Sequence, residues 1–198
     1  DHAGIPKLRP LNPYGYSKQI FDEWLLSHPG KPTNWFGVKF FNVYGPNEYH
    51  KGAMASVVMK AYEQIRDTKK VKLFKSYDSK YQDGEQLRDF IYVLDAAQCL
   101  IKLMQSKNNG IYNLGTGKAR SFKDLVNATF KALNLTPNIE YIEMPESIKG
   151  QYQYFTEANM TKLNSVIKHE FASLESGVAS YVNDYLAKDN PYLETTSL

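Results

Sequence analysis

The sequence predicts an α/β fold with a largely parallel sheet. Segments with helical period alternate along the chain with short strand-like runs, the pattern that brings parallel strands together through helical crossovers. The strand-like runs are rich in Val, Ile and Phe and are closed by Gly, Pro or Asn, as buried strands of such sheets are. The chain has 198 residues, 42% hydrophobic and 23% charged, an ordinary globular balance that suffices for a substantial core.

Pro10 and Pro13 keep the opening extended or turning. From Tyr14 to Leu26, Tyr14, Ile20, Phe21, Trp24 and Leu25 recur near helical spacing, and His28-Pro-Gly-Lys-Pro stops that helix. Trp35 to Val43 reads as one buried strand ended by Tyr44-Gly-Pro. A helix follows over Met54–Ile65, then a strand over Val71–Phe74. Asp78 to Gln86 is polar, with a turn at Asp83-Gly84. Val93–Met104 is helical, Gly110 closes it, and Ile111–Leu114 returns as a strand. Gly115-Thr-Gly117 makes a turn before a helix that Ser121 caps and that runs to about Leu133. Ile139–Ile142 alternates as a strand does. Ala158–Val166 and Leu174–Leu186 read as helices, with a loose tail from Lys188. No internal repeat occurs.

Several function classes are excluded at once. A net charge of +3 without a clustered basic stripe is not a nucleic-acid footprint. No apolar run approaches the ~18 residues of a membrane span. Cys99, alone in the chain, leaves no internal disulfide framework and fits a reducing compartment. The histidines at 2, 28, 50 and 169 have no metal-ligand spacing, so no metal site is expected. The first residues, Asp-His-Ala-Gly-Ile-Pro, do not form a signal peptide.

Tyr14-Gly-Tyr-Ser-Lys18 places a phenol and an ammonium four residues apart, on one helix face. A neighbouring cation favours the phenolate, so such a pair can give and take a proton beside a carbinol or carbonyl. With 15 tyrosines in the chain, chance alone supplies roughly one or two such pairs, so context must decide. Downstream, in order, come Phe41-Asn-Val-Tyr-Gly-Pro46, Arg88-Asp-Phe-Ile-Tyr-Val-Leu-Asp-Ala-Ala97 and Tyr112-Asn-Leu-Gly-Thr-Gly117.

Together these motifs resemble the extended short-chain dehydrogenase/reductases, the family of nucleotide-sugar epimerases, dehydratases and reductases. Tyr49-His-Lys-Gly-Ala-Met-Ala-Ser-Val57 and Lys149-Gly-Gln-Tyr-Gln-Tyr-Phe-Thr156 are similar to its branch acting on an ADP-heptose. The resemblance implies a cytoplasmic isomerase that uses NADP, inverts carbon 6 of the heptose through a transient ketone, and supplies lipopolysaccharide core heptose. It implies homo-oligomerisation as well. Residue by residue, Tyr14 becomes a catalytic acid/base and Lys51 a second one. Lys18, Val43 and Lys51 contact the cofactor. Asn42, Ala53, Lys60, the Phe74-Lys75-Ser76-Tyr77 loop, Arg88 and Tyr152 contact the substrate. A second proton carrier is chemically reasonable, because the ketone is reduced from the face opposite to the one oxidised. Arg88, one of four arginines, has the planar fork that grips a diphosphate; the alternative is a structural salt bridge with Asp89 or Asp95.

The chain departs from the family at several points. Lys60 stands where a histidine is usual, Lys39 and Asn47 where arginines are common, and the 78–87 segment is longer than expected. Gly115-Thr-Gly117 lacks the third glycine of a phosphate loop and is expected to be a tight turn. No glycine-rich dinucleotide motif occurs anywhere, so the chain is expected to be the C-terminal part of a longer enzyme, inactive alone. On that view 1–47 and 88–118 end a Rossmann-type doubly wound domain, 48–87 and 119–187 form a small α/β substrate lobe, and 188–198 is tail. Alternatives are another nucleotide-sugar enzyme of the family or a non-catalytic sugar-nucleotide binding module.

Overall fold

A computed structural model describes residues 8–150 and 152–193. Helix α1 (Pro13–Ser27) begins where Asn12 accepts the Gly15 amide and Pro13 supplies a ready-set φ. It leads to β1 (Phe36–Phe40) and β2 (Asn42–Tyr44). A 3₁₀ turn (Tyr49–Met54) precedes α2 (Val57–Thr68), β3 (Val71–Phe74) and β4 (Leu87–Tyr92). Then follow α3 (Val93–Ser106), β5 (Gly110–Leu114), β6 (Ala119–Ser121), α4 (Phe122–Ala132) and β7 (Ile139–Ile142). The chain continues through α5 (Glu146–Lys149), β8 (Phe155–Thr156), α6 (Thr161–Val166) and α7 (Leu174–Ser180), which widens into a π-helical turn (Tyr181–Leu186).

The pairing is mostly parallel, as alternation of helices and strands requires. β1 lies beside β5, β2 beside β4, β3 beside β7 and β8 beside β4, all parallel; β6 runs antiparallel to β4. β4 is the hinge of the architecture. Its last three residues pair with β2, whereas its first residues pair with β6 and β8. Two cores flank it. One packs α2, α4 and α7 on β3 and β4 through Val58, Ile65, Leu125, Phe130, Val178 and Tyr181. The other packs α3 and α6 on β5 through Cys99, Leu103, Leu114 and Leu163. Each such aliphatic side chain contributes about 1.5–3 kcal/mol by burial.

Several expectations are corrected. The buried strand expected over Trp35–Val43 is two half-buried strands, because the chain leaves β5 for β4 at Phe41, whose amide still reaches Leu114 O at 3.1 Å. The helix expected at Met54 starts at Val57: Glu48 accepts the Ser56 amide and hydroxyl, and Ser56 caps the helix by accepting Met59 N. The helix expected from Ala158 starts at Thr161, since the Ala158 amide is committed to Asp89 and Asn159 accepts Thr161 N. β6, β8 and α5 are too short to leave a periodic signal. Nor is the tail loose as far as Leu193: Asn47 accepts the Leu193 amide, and Tyr192 sits edge-on to Tyr49 at 5.1 Å. Residues 194–198 lie outside the described chain.

Helix α1 inverts the burial its pattern suggests. Gln19 and Asp22 are its buried residues, Asp22 bonded to Lys39 on β1, while Tyr14, Ile20, Phe21 and Trp24 are exposed. Burial, aided by the Lys18 charge, lowers the Lys39 pKa.

Candidate functional site

Asp89 organises the start of the site. It is fully buried on β4 and accepts four hydrogen bonds: Thr116 N and Oγ1, both at 2.7 Å, Gly117 N at 2.9 Å and Ala158 N at 3.0 Å. The amides of the Gly115-Thr-Gly117 turn are thus spent on an internal carboxylate, which is why this turn is not a phosphate loop. A side chain at Gly115 would meet Asp89 Oδ2 at 2.5 Å and Ala158 Cβ at 2.7 Å, so only glycine lets the turn approach.

Arg88 precedes Asp89 on β4 and therefore points the opposite way. No carboxylate among the described residues pairs with it, so the expected alternative of a salt bridge with Asp89 or Asp95 is not what forms; Asp95 instead binds His169 at 2.9 Å. The guanidinium donates to Leu87 O at 2.8 Å and to Gln153 O, and lies 5.3 Å from the Tyr152 ring centroid and 5.6 Å from that of Phe122. Burial pushes its pKa down and that of the Tyr152 phenol up. A half-buried cation stacked on aromatic rings without an anion is a site for one.

Two cavities meet at these side chains. One, of about 570 Å³, is lined by Asn12, Tyr14, Gly15, Arg88, Ile148 and Tyr152 among others. The second, of about 370 Å³, reaches from Arg88 and Tyr152 over Lys60, Phe74 and Phe122. Arg88 and Tyr152 are their common wall. In the first cavity the Tyr14 ring is 73% exposed, and Lys18 Nζ lies 5.1 Å from its centroid, on the shared helix face the spacing predicts. Lys18 has no carboxylate partner among the described residues. Such a phenol and ammonium can give and take a proton beside a carbinol or carbonyl; no glycine-rich dinucleotide turn occurs in the sequence.

Of the remaining expected residues, Lys60 and Phe74 line the second cavity. Lys60 extends from α2 and donates to Ala53 O, which joins two of them. Lys75 forms an ion pair with Glu143 at 2.6 Å, and Tyr77 donates to the same carboxylate. The Ser76 amide donates to Asp83 at 2.7 Å. The long 78–87 segment folds back as a brace: Tyr81 stacks on Tyr154 at 5.6 Å, whose hydroxyl accepts the Tyr77 amide, and the Gly84 amide reaches Phe74 O. It thereby holds the Phe74–Tyr77 loop.

Asn42 is exposed at the start of β2, and Val43 is half-buried beside Ile91. Lys51 is exposed in the 3₁₀ turn, 4.0 Å from Glu48. Asn42, Val43, Lys51, Ala53, Lys75, Ser76 and Tyr77 line neither cavity. The residues brought together are therefore Tyr14, Arg88 and Tyr152 on one side, and Lys60, Phe74, Arg88 and Tyr152 on the other. Sequence reading missed Phe122, Glu48 and Gln86. Glu48 is nearly buried, accepts Ser56 N, Ser56 Oγ and the Tyr181 hydroxyl, and so sets the turn that carries Lys51. Only its place next to the Tyr44-Gly-Pro turn hinted at this.

The model of the NAD dependent epimerase/dehydratase family matches residues 2–115. A curated relative from Fusobacterium nucleatum, named ADP-L-glycero-D-manno-heptose-6-epimerase, is 51% identical over 197 residues, covering 96% of this chain and 59% of the relative. A namesake from Nitratidesulfovibrio vulgaris is also 51% identical, covering 98% and 60%. The chain thus spans about three fifths of their length. The crystal structure of the Helicobacter pylori ADP-L-glycero-D-manno-heptose-6-epimerase superposes with a TM-score of 0.75 at 33% identity, over 91% of this chain and 53% of that one. A UDP-N-acetylglucosamine 4-epimerase from Methanobrevibacter ruminantium shares the fold, with a TM-score of 0.72 at 22% identity. By the match over residues 2–115, more than half of its length, the chain belongs to the NAD dependent epimerase/dehydratase family.

Proposed function

We propose that the protein carrying this chain is an epimerase that converts ADP-D-glycero-D-manno-heptose to its L-glycero isomer through a transient ketone at carbon 6. The observation that carries the reading is the wall shared by the two cavities. Arg88 stands between a chamber that holds an exposed phenol and an apolar chamber beyond, the order of sugar, diphosphate and nucleoside along a nucleotide sugar. The identity to curated ADP-heptose epimerases supports the choice of sugar.

In this mechanism Arg88 grips the diphosphate with the N–H groups not given to Leu87 O and Gln153 O, while Tyr152 and Phe122 pack against the guanidinium. Tyr14 takes the proton from the carbinol oxygen in one orientation of the sugar, and in the other Lys51 gives one to the oxygen as the ketone is reduced; the Lys18 ammonium beside Tyr14 favours the phenolate. Lys51 serves as the second proton carrier, on a turn that Glu48 anchors. A nicotinamide dinucleotide bound here would supply reversible hydride transfer at carbon 6. Lys18 and Val43 are assigned to its ribose and nicotinamide. NADP is chosen over NAD on the resemblance. Residues 1–47 and 88–118 are assigned to the dinucleotide side, and 48–87 and 119–187 to the substrate side. The active enzyme is assigned to a homo-oligomer in the cytoplasm.

The test offers the full-length protein a panel of ADP-, UDP-, GDP- and dTDP-sugars with NADP or NAD and follows epimerisation by proton NMR. Turnover of the ADP-heptose alone, lost in Tyr14→Phe, supports the reading. Preference for a UDP- or dTDP-hexose refutes it.

A further inference from the structure

The apolar cavity contains two carboxamides whose orientations are fixed by the protein. Gln86 is 1% exposed, and its Nε2 donates to Phe74 O at 3.4 Å and Lys75 O at 3.2 Å. Two carbonyl acceptors on one side of the amide settle which end is nitrogen. Its Oε1 is consequently the end left to a ligand, on a residue that lines the cavity. Gln64 lines the same cavity with the opposite polarity: its Oε1 accepts the Lys72 amide at 3.0 Å, which leaves the NH₂. Around them Val57, Ala61, Leu73 and Phe122 supply flat apolar surface. A nearly buried acceptor of this kind calls for a donor on the ligand.

Given the nucleotide-sugar reading above, on which this rests, we propose that Gln86 determines base specificity: its Oε1 accepts a hydrogen bond from the 6-amino group of an adenine ring. A 6-oxo purine would set its own oxygen against Oε1, acceptor facing acceptor. The Gln64 NH₂ then serves a ring nitrogen of the same base. The selection works by an unmet hydrogen bond rather than by size, the kind of contact that discriminates most sharply among ligands of one shape.

The experiment is a calorimetric titration of the full-length protein with ADP, inosine diphosphate, purine riboside diphosphate and UDP. The wild type is expected to bind ADP roughly tenfold to a hundredfold tighter than either purine lacking the amine. In Gln86→Met the preference collapses from both sides: ADP affinity falls, inosine diphosphate, freed of the opposed acceptor, binds no more weakly than before, and the two bind alike. Equal affinity of the wild type for ADP and inosine diphosphate overturns the proposal, as does a Gln86→Met variant that weakens both alike. In those cases a retained preference for ADP over UDP leaves the nucleotide-sugar reading intact. Should UDP bind as tightly as ADP, that reading falls, and the proposal with it.

Discussion

Replacing Asp89 with Asn removes one charge and one oxygen from the junction that joins β4, the Gly115-Thr-Gly117 turn and the start of the 158–166 segment. The structure makes the cost calculable. Thr116 N and Oγ1 converge on Oδ1, and Gly117 N and Ala158 N converge on Oδ2. An Asn amide does best with its NH₂ at the Oδ1 position, where the Thr116 hydroxyl turns to accept from it and only the Thr116 amide is opposed. One hydrogen bond to a charged acceptor is then lost, worth about 1.5–3 kcal/mol, and the orphaned amide stays dry. With a urea dependence of about 2 kcal/mol per M, a loss of about 2 kcal/mol lowers the unfolding midpoint of the full-length protein by ~1 M. Asp89→Asn unfolding within ~0.5 M of the wild type would refute the claim that this carboxylate holds the turn.

Other substitutions probe separate links. Arg88→Lys keeps the charge but loses the planar fork stacked on Tyr152 and Phe122; KM for the nucleotide sugar is expected to rise tenfold to a hundredfold with kcat changed far less. Cys99 is buried, and burial pushes its pKa up to about 11. A thiol reagent at pH 8 should therefore label it only after urea is added. The Arg120 guanidinium, hydrogen-bonded to Glu175 at 2.7 Å, holds that carboxyl below its ordinary pKa. Its contribution is complete above the unfolded value near 4.3 and is lost as pH falls through the lower folded one. Because the pair is partly exposed, Glu175→Gln should cost only about 0.5 kcal/mol at pH 7, and the difference should close as the pH drops below 4.

Much of this organisation was legible in the sequence, for physical reasons that differ by element. Val71–Phe74 and Ile139–Ile142 were readable because each alternates and is bounded by turn residues, and they turn out to be partners. Ser121 was readable as a cap, and Asp124 completes a capping box with it. The Tyr14/Lys18 face needed only helical geometry. What escaped depended on contacts distant in sequence. α1 shows a helical apolar pattern yet buries Gln19 and Asp22, because its partner on β1 is Lys39. The break at Phe41 reflects a change of neighbouring strand, which no local pattern records. At the site, Arg88 and Tyr152 were named from motif likeness, but only the fold shows them as a common wall, and only the fold shows Gln86 among the cavity's polar groups.

The central claim is a redox epimerisation at carbon 6 carried out around Tyr14 and Arg88. Its most direct test follows ADP-D-glycero-D-manno-heptose with the full-length protein and NADP in heavy water, by NMR. The account predicts the L-glycero product with the carbon-6 hydrogen retained and no deuterium there, since the hydrogen removed from one face is the one returned to the other. Product carrying deuterium at carbon 6 would show inversion by proton exchange with solvent and would contradict the account; so would wild-type turnover matched by Tyr14→Phe.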